Sequence, residues 1–199
     1  MQSQTPNQEN LLAKNATYES NFTQGHLELP PAKKYAVGMS FLLINTGPLF
    51  VWLSFSQHVL VTCMDARIDP VAAFGVELGD AHVIRNAGGN AIDALRSLVI
   101  SQQLLGTREI ILVKHTGCGM LIFDTSVATG LVEKNLGAEG LKELSRFVGG
   151  KGEFQTFADL EAAVKSDIQL LKGSRLFAGD IVISGWVYEV ETGKTRRVV

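Results

Sequence analysis

Three residues that can do chemistry follow an apolar stretch at every second position: Cys63, Asp65 and Arg67 in VTCMDARIDP. Side chains alternate between the two faces of a strand, so a strand that continued here would point all three the same way. A thiol, a carboxylate and a guanidinium would then meet where the strand ends. They either form part of a catalytic site or are a buried thiol beside an ordinary ion pair, which contributes little to stability.

A second group of this kind, HTGCG, contains His115 and Cys118 with two residues between them. Together with Cys63 it offers two thiolates and one imidazole, a donor set that suits zinc. Three protein ligands leave a coordination position for water, whereas structural zinc sites use four. The spacing therefore predicts a catalytic zinc site. A disulfide between Cys63 and Cys118 is the alternative that the residues alone leave open.

Alternating strand and helix signals surround both groups. The apolar segments 58–63, 81–89 and 109–119 predict strands, and a closing strand and hairpin with its turn at Thr192–Gly193 are predicted over 179–199. Helices are predicted over 9–22, 90–106 and 154–172, with a single helical turn at 69–75. This alternation indicates an α/β fold with a central, mainly parallel β-sheet flanked by helices. Ligands in such sheets bind beyond the carboxyl ends of the strands, where both groups lie.

The helix predicted over 90–106 is apolar on more than one face, which predicts burial, including burial at a subunit interface. The apolar residues concerned are Ile92, Leu95, Leu98, Val99, Ile100 and Leu104.

Composition narrows the class of protein. The chain has 199 residues, 46% of them hydrophobic and 19% charged, with a net charge of −2 and no basic cluster. This argues against a nucleic-acid partner and fits one α/β domain, expected over 29–199 after a polar segment and helix at 1–28. Two distant cysteines, with no apolar signal segment at the start, predict free thiols or metal ligands in a cytoplasmic protein.

The motifs CMDARID, RNAGG and HTGCGM, in this order, resemble those of the β-class carbonic anhydrases, and the similarity extends from Leu29 to the closing hairpin. The resemblance implies reversible hydration of carbon dioxide to bicarbonate and a proton. It implies Zn²⁺ bound by Cys63, His115 and Cys118, with Asp65 and Arg67 as the pair beside the metal. It also implies a homodimer or a dimer of dimers, with the active site near the subunit interface.

Each remaining site residue has an expected role. Asp65 can accept a hydrogen bond from hydroxide that the metal makes available and orient it toward carbon dioxide, while Arg67 keeps the carboxylate off the metal. Whether the site is open or closed by Asp65 is left undecided by the sequence. Gly88 and Gly89 are predicted to form the floor of the substrate pocket, and the alternatives are a tight turn or a phosphate site at the following helix. His58 and His82 could carry the proton or be structural.

One segment departs from the family pattern. Residues 38–60, GMSFLLINTGPLFVWLSFSQHVL, separate KKYAV from VTCMDARIDP, which would otherwise form one strand. The segment predicts an apolar insertion, or an intron retained in the translated gene. Its apolar run is interrupted at 45–48 and falls short of the ~20 residues of a membrane helix, so no membrane span is predicted. If the insertion is genuine, HVLVTC can supply the strand, and AKKYAV can be displaced as a loop or an extra hairpin.

Three other functions compete with carbon dioxide hydration. Hydrolysis of carbonyl sulfide or carbon disulfide could use the same scaffold. A non-catalytic zinc or redox protein would have its site closed by Asp65 or spoiled by the insertion. A nucleotide-binding α/β protein would carry no metal.

Overall fold

The structure, a computed structural model, describes residues 5–23, 35–36, 55–56, 58–146, 148 and 153–199. Its strands are β1 (Tyr35–Ala36), β2 (Phe55–Ser56), β3 (His58–Cys63), β4 (Ala81–Asn86), β5 (Glu109–His115), β6 (Val182–Tyr188) and β7 (Thr195–Arg197). Its helices are α1 (Pro6–Asn21), α2 (Pro70–Phe74), α3 (Ala91–Gln103), α4 (Thr125–Leu144) and α5 (Leu160–Gly173), with short 3₁₀ turns at Ala87–Gly89 and Gly119–Leu121.

The main sheet has five strands in the order β4-β3-β5-β6-β7. The first four strands run parallel, and β7 pairs antiparallel with β6. The α/β class predicted from the sequence is confirmed, and so is the hairpin, whose turn contains Gly193 at φ +72°. Because β3, β4 and β5 are parallel, their carboxyl ends meet at one edge, where the predicted site residues lie.

Burial explains why the central strands form where they do. All six residues of β3 are buried between neighbours on both sides, as expected for a β-branched, apolar segment. Helices α3 and α5 cover one face of the sheet and complete an apolar core with Leu98, Ile168 and Leu171, each no more than 1% exposed. At Gly185 of β6 an added Cβ would lie 2.5 Å from a Val164 methyl group, so α5 packs directly on the strand backbone.

One predicted helix starts later than expected, and another is capped by a different residue from the one expected. Helix α5 begins after Asp159, whose side chain accepts a hydrogen bond from the Ala162 amide, so the predicted start at 154 is wrong. Helix α3 begins after Asn90 as predicted, but the Asn90 side chain does not cap it. The Asp167 carboxylate of α5 accepts from the Ala91 amide instead, at 3.1 Å. A helix start on α3 is thus stabilised from a neighbouring helix.

Helix α3 is not buried on all sides in the single chain. Leu98 is fully buried, whereas Ile92 is 40% and Leu104 73% exposed. The prediction of burial is therefore wrong for these two residues within one chain. Helix α4 was not predicted at all, and its Gly137 has a non-helical φ of +73°.

The predicted insertion at 38–60 lies largely outside the described residues. Within the described part, β1 lies just before this segment and pairs antiparallel with β2, which lies inside it, Tyr35 opposite Ser56 and Ala36 opposite Phe55. Strand β3 begins at His58 and pairs with β4 and β5, as expected if HVLVTC supplies the strand. Among the helices that the structure describes, none combines the length and apolar character needed to cross a membrane.

Candidate metal centre and active site

The three predicted metal ligands come together at the carboxyl edge of the sheet. Cys63 ends β3, His115 ends β5, and Cys118 follows in the next turn, where Gly117 has a φ of +60°. The ligand atoms of all three lie within 4.8 Å of one another, and all three residues are buried. The two sulfur atoms are 4.0 Å apart. Two sulfurs each about 2.3 Å from a tetrahedral ion would lie about 3.8 Å apart, so the spacing suits one shared metal ion.

The His115 ring is oriented as a ligand. Its Nδ1 donates to the Thr116 carbonyl oxygen at 2.8 Å, which leaves the lone pair on Nε2. That Nε2 is buried and has no hydrogen-bond partner among the residues that the structure describes. A buried polar atom without a partner is costly, and a metal ion between it and two sulfurs would satisfy it. The residues present therefore fit a zinc ion.

The two thiols share one proton in the absence of metal. The neighbouring Cys118 thiol lowers the pKa of Cys63 to about 4, with smaller contributions from His115 and from the backbone of Asp65 and Gly88. The same pairing, with burial, raises the pKa of Cys118 above its ordinary value. A cation bound here would replace that one proton, and zinc binds thiolates rather than thiols.

Asp65 is held by Arg67 at the edge of the ligand cluster. Its Oδ1 accepts from the Arg67 amide and Nε, each at 2.9 Å, and its Oδ2 accepts from Nη2 at 2.7 Å. The same Nη2 donates to the Gly117 carbonyl at 3.0 Å. These bonds from Arg67 lower the pKa of Asp65 well below its ordinary value, so the carboxylate stays ionised. Its Oδ2 lies 3.7 Å from His115 Nε2, close enough to serve a species bound beside the imidazole.

A second arginine, which sequence reasoning did not assign, supports the same turn. Arg85 of β4 donates through Nε to the Cys63 carbonyl at 3.0 Å and through Nη2 to the Asp65 carbonyl at 2.6 Å. It therefore bridges the two ends of the Cys63–Asp65 segment. The signal in the sequence was its place at the start of RNAGG, three residues before Gly88.

A cavity of about 830 Å³ opens beside the cluster and is lined by Cys63, Asp65, Cys118 and Gly88 among others. Gly88 has a φ of +77°, and an added Cβ would lie 2.9 Å from the Met120 side chain. Gly89 does not line the cavity. An added Cβ there would lie 3.0 Å from the Cys63 amide nitrogen, so this glycine lets the turn pack against β3. The apolar wall includes Met120, Phe123 and Phe154.

Neither central histidine belongs to this cavity. His58 is buried and lines a separate cavity with Leu60 and Trp186. His82 bonds through Nδ1 to the Ser101 hydroxyl at 2.8 Å, and that hydroxyl bonds in turn to Thr107. For both histidines, these surroundings favour a structural role over that of a proton carrier.

Comparison with known proteins gives the family. The family model described as carbonic anhydrase matches residues 58–195. The chain belongs to the β-carbonic anhydrase family. It is 33% identical over 188 residues to β-carbonic anhydrase 1 of Mycobacterium bovis, with 94% of each chain covered. It is also 34% identical over 189 residues to a carbon disulfide hydrolase of Acidithiobacillus thiooxidans, with 89% of this chain and 87% of that protein covered.

The fold of the chain is similar to solved β-carbonic anhydrases. A carbonic anhydrase from Glaciozyma antarctica superposes with a TM-score of 0.80 at 40% identity, covering 98% of this chain and all of the other. The segment that the family model matches, residues 58–195, contains both groups of predicted site residues, the one at Cys63 and the one at Cys118.

Proposed function

We propose that the chain is a zinc-dependent carbonic anhydrase that converts carbon dioxide and water reversibly to bicarbonate and a proton. The observation that supports this most is the buried His115 Nε2, which has no hydrogen-bond partner in the described residues and lies beside two cysteine sulfurs. Three ligands with an ionised carboxylate 3.7 Å away make a site for catalysis rather than for structure.

Each residue then has a role. Cys63, His115 and Cys118 would bind the zinc ion, which supplies a Lewis acid that lowers the pKa of water. Asp65 accepts a hydrogen bond at Oδ2 from the attacking hydroxide and orients it. Arg67 holds Asp65 by its bidentate pair and so keeps the carboxylate off the metal.

Carbon dioxide has no charge, so an apolar pocket suits it. Met120, Phe123 and Phe154 supply the apolar wall, and Gly88 supplies part of the lining without a side chain. We assign Gly88 to the substrate pocket and give Gly89 the packing role against β3.

Stopped-flow measurement of carbon dioxide hydration by the zinc-loaded chain tests the proposal. We expect saturable hydration that Asp65→Asn reduces strongly while zinc content stays near one per chain. A zinc-loaded chain with no hydration activity, even at alkaline pH where hydroxide is most available, would contradict it and favour a non-catalytic zinc protein.

Carbon disulfide or carbonyl sulfide hydrolysis is the second candidate, because the match to a carbon disulfide hydrolase covers 89% of this chain. The same site could attack either linear molecule. Sulfide release from both compounds should be measured beside carbon dioxide hydration on one preparation. Efficient sulfide release with weak hydration would reverse our choice.

We propose a homodimer, or a dimer of dimers, that covers the mouth of the cavity. Apolar side chains around it are exposed in the single chain: Met64 is 66%, Ile92 40% and Ile122 84% exposed. Light scattering should give a mass of two or four chains, and Ile92→Asp should lower it. A mass of one chain for both the wild type and Ile92→Asp would contradict the proposal.

We also propose that residues 38–60 are an insertion into a single domain over 29–199, and that the protein is cytoplasmic. Two free, buried cysteines suit a reducing compartment.

Removal of 38–60 would let Tyr35–Val37 take the place of 58–60 in β3. Retained zinc binding and hydration in the shortened chain would support the insertion, and loss of both would contradict it. Sequencing of the transcript separates a genuine insertion from a retained intron.

A further inference from the structure

A lysine is buried one residue before the His115 ligand, and the proposed reaction does not use it. Lys114 lies in β5, on the face that also carries Ile110 and Leu112, and its side chain is fully buried. Lysine is almost never fully buried unless its charge is paired. The atoms around the Lys114 ammonium group therefore show which groups balance its charge.

Four oxygen atoms surround the Lys114 ammonium group. Nζ lies 3.0 Å from the Gly88 carbonyl, 3.4 Å from the Gly89 carbonyl and 2.8 Å from Asn90 Oδ1. It also lies 2.9 Å from the Asp167 carboxylate. All four contacts are acceptors, which matches the three donors of a lysine ammonium group.

Three of those four oxygens belong to the turn beside the metal centre, residues 88–90. Both glycines there have positive φ, +77° at Gly88 and +59° at Gly89. The Asn90 side chain does not cap α3. It donates instead to the Ala87 carbonyl at 2.9 Å, just before the turn. The turn is thus bound from behind by one buried cation.

The front of the same turn faces the metal ligands. Gly88 lines the cavity together with Cys63 and Cys118. The Gly89 position packs against the backbone of Thr62 and Cys63. Lys114 and Cys63 therefore act on opposite sides of one short segment.

We propose that Lys114 is a positioning residue of the metal centre. Its buried ammonium holds the oxygens of the Gly88–Asn90 turn, and the turn then packs Gly89 against the Cys63 backbone and places Gly88 in the cavity wall. The inference rests on the proposed zinc site. Lys114 would support that site through the Gly88–Asn90 turn. Removal of such outer contacts typically weakens metal affinity about 10–100-fold.

The test compares Lys114→Met with Asp167→Asn and with Leu98→Ala, each in the full chain. Methionine keeps the length of lysine and removes the charge. Asp167→Asn breaks the ion pair but leaves the ammonium on the turn. Leu98→Ala makes a cavity in the core under α3, where Leu98 is 0% exposed, and controls for lost stability.

Two readouts do not depend on turnover. Zinc affinity is measured by competition with a chromophoric chelator. Hydrogen exchange is measured by mass spectrometry on the peptide spanning 86–91 in the metal-free protein. We expect Lys114→Met to raise the zinc dissociation constant about 10–100-fold and to speed exchange in that peptide. Leu98→Ala should change both far less. Asp167→Asn should change zinc affinity far less, and any faster exchange in it should be confined to the Ala91 amide, which the Asp167 carboxylate binds.

Lys114→Met leaves the half-buried Asp167 carboxylate without its partner. If that variant does not fold, the Lys114→Met/Asp167→Asn double variant, which removes both charges, is used in its place. Unchanged exchange at 86–91, unchanged zinc affinity, or equal losses in Leu98→Ala would overturn the inference. A wild-type chain that binds zinc without hydrating carbon dioxide would overturn the proposed function alone. A wild-type chain that binds no zinc would overturn both.

Discussion

Two ion pairs flank the proposed metal ligands, and their cations differ in exposure. Asp65 and Arg67 form one pair at the cavity, with the Arg67 side chain 53% exposed. Lys114 and Asp167 form the other pair behind the site, with the Lys114 side chain 0% exposed. Exposed pairs contribute little to stability, whereas loss of one partner from a buried pair leaves an uncompensated charge. The first pair can therefore serve chemistry at little cost to folding, and the second serves the frame that holds the ligands.

The largest expected effect separates the pairs by stability. Lys114→Met should lower the free energy of unfolding by about 3–5 kcal/mol, because the buried Gly88 carbonyl and Asn90 Oδ1 lose their donor and Asp167 loses its counter-charge. Arg67→Met should cause only a small loss, because its guanidinium is solvated. Urea denaturation of both metal-free variants measures the difference. Equal losses would mean that burial does not distinguish the two pairs.

The next effect separates them by turnover. Asp65→Asn should reduce carbon dioxide hydration by on the order of 10²-fold, since the amide cannot accept from hydroxide as a carboxylate does. The free energy of unfolding and the zinc content should stay close to those of the wild type. Stopped-flow assay and metal analysis check this on one sample. Unchanged hydration would show that Asp65 has no part in the reaction.

A smaller effect concerns the turn that Lys114 holds. Gly89→Ala should destabilise the protein by about 1–3 kcal/mol more than Gly75→Ala. Both glycines have positive φ, but an added Cβ contacts the Cys63 backbone at 3.0 Å in Gly89 and nothing within 4 Å in Gly75. Thermal unfolding of the two variants isolates the contact. Equal shifts in melting temperature would mean that the turn can move away from β3.

These predictions rest on residues that sequence reasoning treated unequally. The strands β3, β4, β5 and β6 follow apolar, β-branched segments, and periodicity was enough to predict them. Helix α4 contains Gly130, Gly137 and Gly140, which lower helix propensity, and so it gave no signal. The start of α5 was placed at 154 because its periodicity extends past the Asp159 cap.

The site was predictable where ligand chemistry restricts residue types. Cys63, His115 and Cys118 are the residues that zinc selects, and the structure brings them together as the spacing predicted. Lys114 was missed because a lysine in an apolar strand gives no indication of which carbonyls will surround it. Its shared strand face with Ile110 and Leu112 was the available signal for a buried charge. Its partner Asp167 lies 53 residues away in the chain, beyond any local pattern.

The smallest expected effect is the pH dependence of the exposed pair. Hydrogen bonds from Arg67 hold the pKa of folded Asp65 below that of the unfolded chain, near 4 for an ordinary aspartate. The pair's contribution to stability is therefore complete above about pH 4 and is lost as the pH falls toward the folded value. The small stability difference between wild type and Arg67→Met should shrink below pH 4 in urea denaturation of the metal-free proteins. A difference that grows with acidity would contradict this assignment.

X-ray absorption at the zinc edge of the zinc-loaded chain tests the central claim most directly, because it counts the ligand types around the ion. The account predicts one zinc per chain with two sulfur ligands at about 2.3 Å and lighter ligands at about 2.0–2.1 Å. Cys118→Ser should leave one sulfur. A spectrum with no sulfur ligands, or a chain that retains no zinc, would contradict the assignment of Cys63, His115 and Cys118 as the metal centre.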